Sequence, residues 1–269
     1  MNHFEFTADE LILGKHTLRR IRATRDLPTH DVKAGDLGGW IESSDNLDEN
    51  AWVGGNARVY EDARVFGDAF VFGDARVFGD ARVCGAAFVF GDARVFGDAL
   101  VFRAAKVFGA AKVFGAAKVF GNARVYWDAL VCGAAQVSGD AQVSGDAFVF
   151  GDARVFGDAR VSGRAGVFGD ARVSGHAWVS GAARIFQPQD VLTLGPTGSE
   201  SVFITLFRTA ASHELWVGCW QGTVDELGAE VERRSQKWGV DLKTAQQWRA
   251  EYQALETLCR QRINSWGPG

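Results

Sequence analysis

The chain has 269 residues, 47% hydrophobic and 23% charged, with a net charge of −4. Thirty-three Gly and 20 Phe against a single Met signal a short repeated unit rather than a mixed core. No run of eighteen apolar residues exists, so no membrane span is expected. Cys84, Cys132, Cys219 and Cys259 show no CxxC spacing, which leaves a zinc site or disulfide framework unsupported and points to reduced thiols in the cytoplasm.

Residues 1–50 carry ten acidic and six basic side chains. They open without a basic region followed by an apolar one, so no signal peptide is expected. Glu10–Leu13 and Leu18–Thr24 flank Gly14-Lys15-His16 as a hairpin, and a turn-rich Asp36-Leu37-Gly38-Gly39-Trp40-Ile41 follows. Because a stacked repeat needs its open end covered, 1–50 is expected to be an N-terminal β cap.

From Ala51 to Phe186 the unit Ala-Arg-Val-Phe-Gly-Asp recurs without insertion. Its aliphatic position falls at Val53 and every sixth residue to Val179 and Ile185, which makes 23 hexads. An α-helix drifts roughly 120° per six residues and cannot hold that register on one face. A flat strand cannot contain a Gly-Asp turn in every unit. A chain that bends every six residues and stacks on itself meets both conditions. The pattern resembles the hexapeptide-repeat superfamily of LpxA-like acyltransferases, in which three hexads make one triangular coil of a single-stranded left-handed parallel β-helix. There an aliphatic residue and a small residue two places earlier point inward, as Val59 with Ala57 and Val65 with Ala63 would here. One departure is the Phe or Ser directly after the aliphatic residue, where the family often has Gly. With the cap included, 1–186 is similar to uncharacterised phage-borne and bacterial proteins of the YdcK group, a resemblance that brings no activity with it. Seven to eight coils at strand spacing make a prism on the order of 35 Å long.

Alternation within each short strand sends Val inward and its neighbours outward, and every third hexad shares a face. The first face is expected to carry Tyr60, Phe78, Phe96, Phe114, Cys132, Phe150, Phe168 and Phe186. The seven aromatic members form a ladder larger than monomers usually expose, and so a candidate interface for a homo-oligomer, trimer or dimer. The second face carries Gly54, Phe72, Phe90, Phe108, Tyr126 and then serines; Trp52, Phe70, Phe72, Phe88 and Phe90 are expected to form an aromatic patch on it. The third carries Phe66, Cys84, Phe102, Phe120, Ser138, Phe156 and Ser174. The bland alternative for all these rings is stacking that stabilises the coils themselves. Between Asp98 and Asp128 no acidic residue occurs, while Arg103, Lys106, Lys112, Lys118 and Arg124 do. They form a cationic belt that either meets solvent or binds a phosphate-bearing ligand or acidic protein.

After Gln187-Pro188 the repeat stops. Val202–Arg208 and Glu214–Trp220 read as strands. Thr223-Val224-Asp225-Glu226 reads as a capping box opening a helix that ends near Gly239. A second helix over about Leu242–Ile263 aligns Trp248, Tyr252, Leu255 and Leu258. Residues 187–269 thus form a small α+β domain, with Trp216, Trp220, Trp238 and Trp248 expected in its core or docking surface.

The catalytic signals are sparse. Acyltransferases of the resembled family use a His base at an intersubunit groove and interrupt the repeat with a loop. Here the repeat is unbroken and holds one His, His176, at a turn position without an evident orienting partner. No P-loop or dinucleotide fingerprint appears, and no cofactor or metal is expected. The repeat itself holds thirteen acidic and fifteen basic residues, which disfavours DNA mimicry. The sequence therefore favours a non-enzymatic, oligomeric scaffold, phage-associated and acting on a host protein or a small anionic ligand, with a counter-defence role if phage-borne. An LpxA-like acyltransferase or a passive virion component are the alternatives.

Overall fold

A computed structural model describes residues 3–266. Residues 51–186 form a parallel β-solenoid of about eight turns whose strands, such as Arg76–Val77 and Arg94–Val95, are two residues long. Each strand pairs with the one eighteen residues away, so that three hexads close one coil and three parallel sheets form its sides. Ladder bonds repeat monotonously: the Arg76 amide donates to Ala93 O at 2.9 Å, and that of Phe78 to Val95 O at 3.1 Å. The interior is as the period dictates. Every Val from Val53 to Val179 is fully buried, as is Ile185, and the Ala two places before each is at most 1% exposed. Two small side chains per side fill a narrow triangle with no polar atom inside.

Glycine is required at the corners for two reasons. The corner glycines from Gly55 to Gly181 have φ between 56° and 78°, a region L-residues resist. A Cβ on Gly121 would also stand 2.9 Å from Gly139 N in the next coil. Three corners break the rule, with Glu61, Arg103 and Trp127 adopting φ of 59°, 64° and 59°.

Both ends of the solenoid are covered. At the N-terminus Phe4–Leu13 and His16–Ala23 form the expected hairpin, longer than the sequence indicates, and Leu37–Ile41 joins it to the first coil. The hairpin thereby extends the first-face sheet antiparallel, while Leu47 bridges Val65 at the third-face edge. Asn46, 1% exposed, ties this end together: its Oδ1 accepts from the Glu42 and Ser43 amides and its Nδ2 donates to Glu61 O and Ala63 O. At the other end Asp190 does the same work, its buried Oδ2 accepting from the Phe186 and Gln187 amides.

The C-terminal region is a four-stranded antiparallel sheet, Val191–Thr197, Val202–Arg208, His213–Val217 and Trp220–Gly222, followed by helices α1 (Val224–Ser235) and α2 (Leu242–Ser265). Val191–Thr197 is a strand the sequence does not announce, because Gly195-Pro196 reads as a turn. Helix α1 stops at Ser235, short of Gly239. Helix α2 buries Tyr252, Leu255 and Cys259, whereas Leu258 is 38% exposed; the seam runs through the thiol because 252, 255 and 259 share one face. Phe207 is fully buried within the solenoid's own core cluster, and the Trp178 amide donates to Thr205 Oγ1. The sheet is therefore the plug of the C-terminal coil.

Two tests follow from this construction. Gly121→Ala combines a positive φ with a backbone clash and should destabilise the solenoid by about 1–2 kcal/mol or more, read as a lowered denaturation midpoint; an unchanged midpoint would show that the corners tolerate a Cβ. The second concerns pH. His3 Nε2 lies 2.8 Å from Ala51 O and His30 Nε2 2.9 Å from Asn50 O. Burial holds both imidazoles below their usual range, outweighing those hydrogen bonds and the nearby Asp48 and Asp68 carboxylates, while Arg25 adds to the effect at His3. Because their folded values are depressed, the unfolded chain binds more protons below about pH 6.5, and stability present above that value falls as the pH drops toward the folded values. Hydrogen exchange across residues 3–50 should accelerate between neutral pH and about pH 5, after correction for intrinsic rates, while the central coils stay protected. Uniform protection at both pH values would refute it.

Candidate binding cleft and outer faces

The outward positions of the solenoid stack as the eighteen-residue register requires. On the first face Tyr60, Phe78, Phe96 and Phe114 lie near-parallel with centroids 4.9–5.0 Å apart. Buried Cys132 then interrupts the column. Beyond it Phe148 approaches both Phe150 and Phe168 at 5.8 Å, and Phe168 stacks on Phe186 at 5.1 Å. Phe168 leans over Gly166, where a side chain would collide with its ring. The ladder is thus two segments. Tyr60 is not available to an interface: the cap covers it to 8% exposure, with His16 at 5.3 Å and held between Glu42 (2.9 Å) and Glu61 (3.3 Å). The members left most open are Phe150 (46%) and Phe186 (51%).

The second face carries its own stack, Phe72, Phe90, Phe108 and Tyr126, at 4.8–5.0 Å. Trp52, expected in the surface patch here, is instead 2% exposed, beneath His3 and against Gly38, where a Cβ would meet its ring at 2.7 Å. Phe70 is half-buried under His30 at 5.0 Å, and Phe72, Phe88 and Phe90 are half-buried as well. The cationic belt divides among the three sides. Lys112 lies on the first face between Arg94 and Leu130, and Lys118 on the third between Leu100 and Gln136. Lys106 and Arg124 are register partners on the second, beside the Arg103 corner, with Lys106 Nζ 5.4 Å from the Phe88 ring. Two of the five cations therefore share a face, and Arg103 stands at the corner between that face and the third.

A concavity lies at the far end of the second face. A cleft of about 500 Å³ opens between the last coils and the C-terminal sheet. Its floor is a two-by-two array fixed by the register: Arg160 pairs with Trp178 on the strands, and Asp158 and His176 stand two residues before them at the adjoining corner. Val202, Phe203, Thr205 and Trp216 form the wall. Phe203 packs on His176 with centroids 4.0 Å apart, Trp216 on Trp178 at 4.6 Å, and the Arg160 guanidinium sits 5.8 Å from the Trp178 ring.

His176 accordingly has the neighbour that its sequence context does not reveal. Asp158 Oδ2 stands 3.6 Å from its Nδ1, eighteen residues away in sequence and one coil away in space. Elsewhere in the same corner columns Asn fills this role, with Asn122 Nδ2 donating to Asp140 at 3.0 Å, so a partner that relieves stacked aspartates also suffices to explain a His there. Ser201 lines the cleft, yet no hydrogen bond joins its hydroxyl to His176. Among the described residues no group of three His, Cys, Asp or Glu is placed to hold a metal, and no helix is long and apolar enough to cross a membrane.

The period, the corner glycines and the buried Val column together have a counterpart among known families. The repeat is similar to the YdcK β-solenoid. The model of that family, described as the YdcK beta solenoid repeat, matches residues 69–85 and 147–169. Both stretches lie within the stacked coils, and the match supports membership of a β-helix family. Comparison with curated proteins gives no match.

Proposed function

We propose that the chain is a non-enzymatic, self-associating β-solenoid that holds rigid aromatic and cationic faces toward a partner protein or small anionic ligand, in the phage-borne or bacterial setting its repeat resembles. The observation that carries this reading is the C-terminal segment of the first face. Phe150 and Phe186 are about half exposed and flank Phe168, on a sheet too short-stranded and too regular to rearrange around them. Two or three copies brought together by a symmetry axis would remove that stripe from water. The coils that carry it are held by ladder hydrogen bonds over their whole length, so the surface is preorganised and loses little freedom on binding. Lys106 and Arg124 on the second face, with Arg103 at its corner, supply the cationic surface for an anionic partner.

Light scattering should give a mass two or three times 29.1 kDa for the native protein, falling to 29.1 kDa for Phe150→Glu combined with Phe186→Glu. A native protein already at 29.1 kDa, or a variant of unchanged mass, would refute self-association through this face.

One observation favours a second reading, an LpxA-like acyltransferase: His176 has a carboxylate beside it and lies in a cleft, as a general base would. That cleft is lined by the solenoid and the C-terminal sheet of one chain. Acetyl-CoA binding abolished by His176→Ala would support this alternative; its absence would remove it.

A further inference from the structure

We infer that the cleft over Arg160 and Trp178 is a binding site for a mononucleotide-class ligand, a flat heteroaromatic ring that carries one anionic group. Four features of this end of the second face converge on that chemistry.

The first is an asymmetry between the two ends of the solenoid. Trp takes the second position of a hexad only at Trp52 and Trp178, in the first and last strands of the second face. The N-terminal cap closes over Trp52 to 2% exposure, whereas Trp178 keeps 40%. A second large ring of the cleft, Phe203, keeps 39%. Rings used only to plug an end would be sealed, as Trp52 is; these leave apolar surface facing an open concavity that a planar ligand can cover.

Charge is the second. The Arg160 guanidinium has no hydrogen bond or ion pair to any described residue, and rests only near the Trp178 ring. The one carboxylate on the cleft floor, Asp158, lies against His176. An exposed planar cation beside an aromatic wall suits a phosphate or carboxylate attached to a stacked ring. Since one Arg stands beside one Asp, the array accommodates a single anionic group better than a polyphosphate, whose outer charges would meet Asp158.

Dimensions agree. Trp178 and Arg160 lie one coil apart, about 4.8 Å, with His176 and Asp158 at the adjoining corner. This is the scale on which a nucleobase and its 5′-phosphate are separated. The volume of about 500 Å³ falls within the range of small-molecule sites. Finally, the floor is built on strands locked by the ladder and the wall on Val202–Arg208, whose Phe207 and Thr205 anchor the sheet to the last coils, so the site is already formed without ligand.

The decisive experiment titrates the full chain with adenosine 5′-monophosphate, adenosine and ATP, following tryptophan fluorescence and calorimetric heat. Saturable binding of the monophosphate is expected, with adenosine weaker by about tenfold, the effect of one charge-assisted contact. Arg160→Gln, at an exposed position where folding is not at stake, should abolish the preference for the monophosphate over adenosine, and Trp178→Leu should weaken both. Absence of binding at millimolar monophosphate, affinity unchanged in Arg160→Gln, or ATP binding more tightly than the monophosphate would each overturn the assignment. So would binding that survives Arg160→Gln and disappears in Lys106→Gln, which would place the ligand on the cationic belt. A monomeric protein that binds the monophosphate would fail the self-association proposal and leave this one standing.

Discussion

The solenoid depends on one backbone constraint: residue i must lie directly above residue i−18, with its amide and carbonyl in the ladder and nearly every corner free of a Cβ. The constraint admits almost no variation inside. Val and Ala fill each side of the triangle because nothing larger fits twice, and Gly occupies nearly every corner because the next corner's backbone is within 3.5 Å of where a Cβ would be. The outward positions carry no such restriction. All chemical individuality is therefore displaced onto three exterior faces, where identical side chains stack into columns and substitutions break them at identifiable points.

Those columns explain why like residues can repeat so densely. Rings 4.8–5.1 Å apart and near-parallel cover one another's faces, which turns an otherwise exposed row of Phe into a half-buried one. Aspartates at the same spacing have no such benefit, and Asn50, Asn56 and Asn122 interrupt them by donating to Asp68, Asp74 and Asp140. Strain is spent at only a few corners. Trp127, with positive φ and 59% exposed, packs edge-on against Tyr126 at 4.9 Å. No contact in the structure explains why a bulky residue is kept there in place of glycine.

The solenoid was legible in the sequence because its determinants are local and periodic: Val every sixth residue, Ala two places earlier, Gly at the turn. Face assignments followed from counting. What period alone could not show is which outward residues another part of the chain covers. Trp52 and Tyr60 are chemically suited to a surface patch, yet the hairpin of 1–50 folds over both, and that contact depends on residues such as Gly38 and His16 that carry no periodic mark. The same is true of Trp178, Phe203 and Trp216, which meet only because the sheet after residue 190 turns back onto the last coils. The Asp158–His176 neighbourhood is different. The eighteen-residue offset that sorted the phenylalanines also pairs these two positions, so the register would have revealed it. In the C-terminal helices the capping box Thr223 to Glu226 was visible from sequence, whereas the burial of Cys259 in place of Leu258 turned on an angular offset too small for periodicity to resolve.

The ladder register also sets how such a chain can change length. Removing or adding eighteen residues deletes or inserts one whole coil and leaves every downstream side chain on its original face, only about 4.8 Å nearer or farther along the axis. Removing six rotates everything beyond the cut by one side of the triangle. A cut between Arg160 and Trp178 would place the two on different sides of the triangle, while the Val interior remained continuous. Fold and surface thus answer to different arithmetic, and a single hexad slip can reassign the outer columns without disturbing the Val interior.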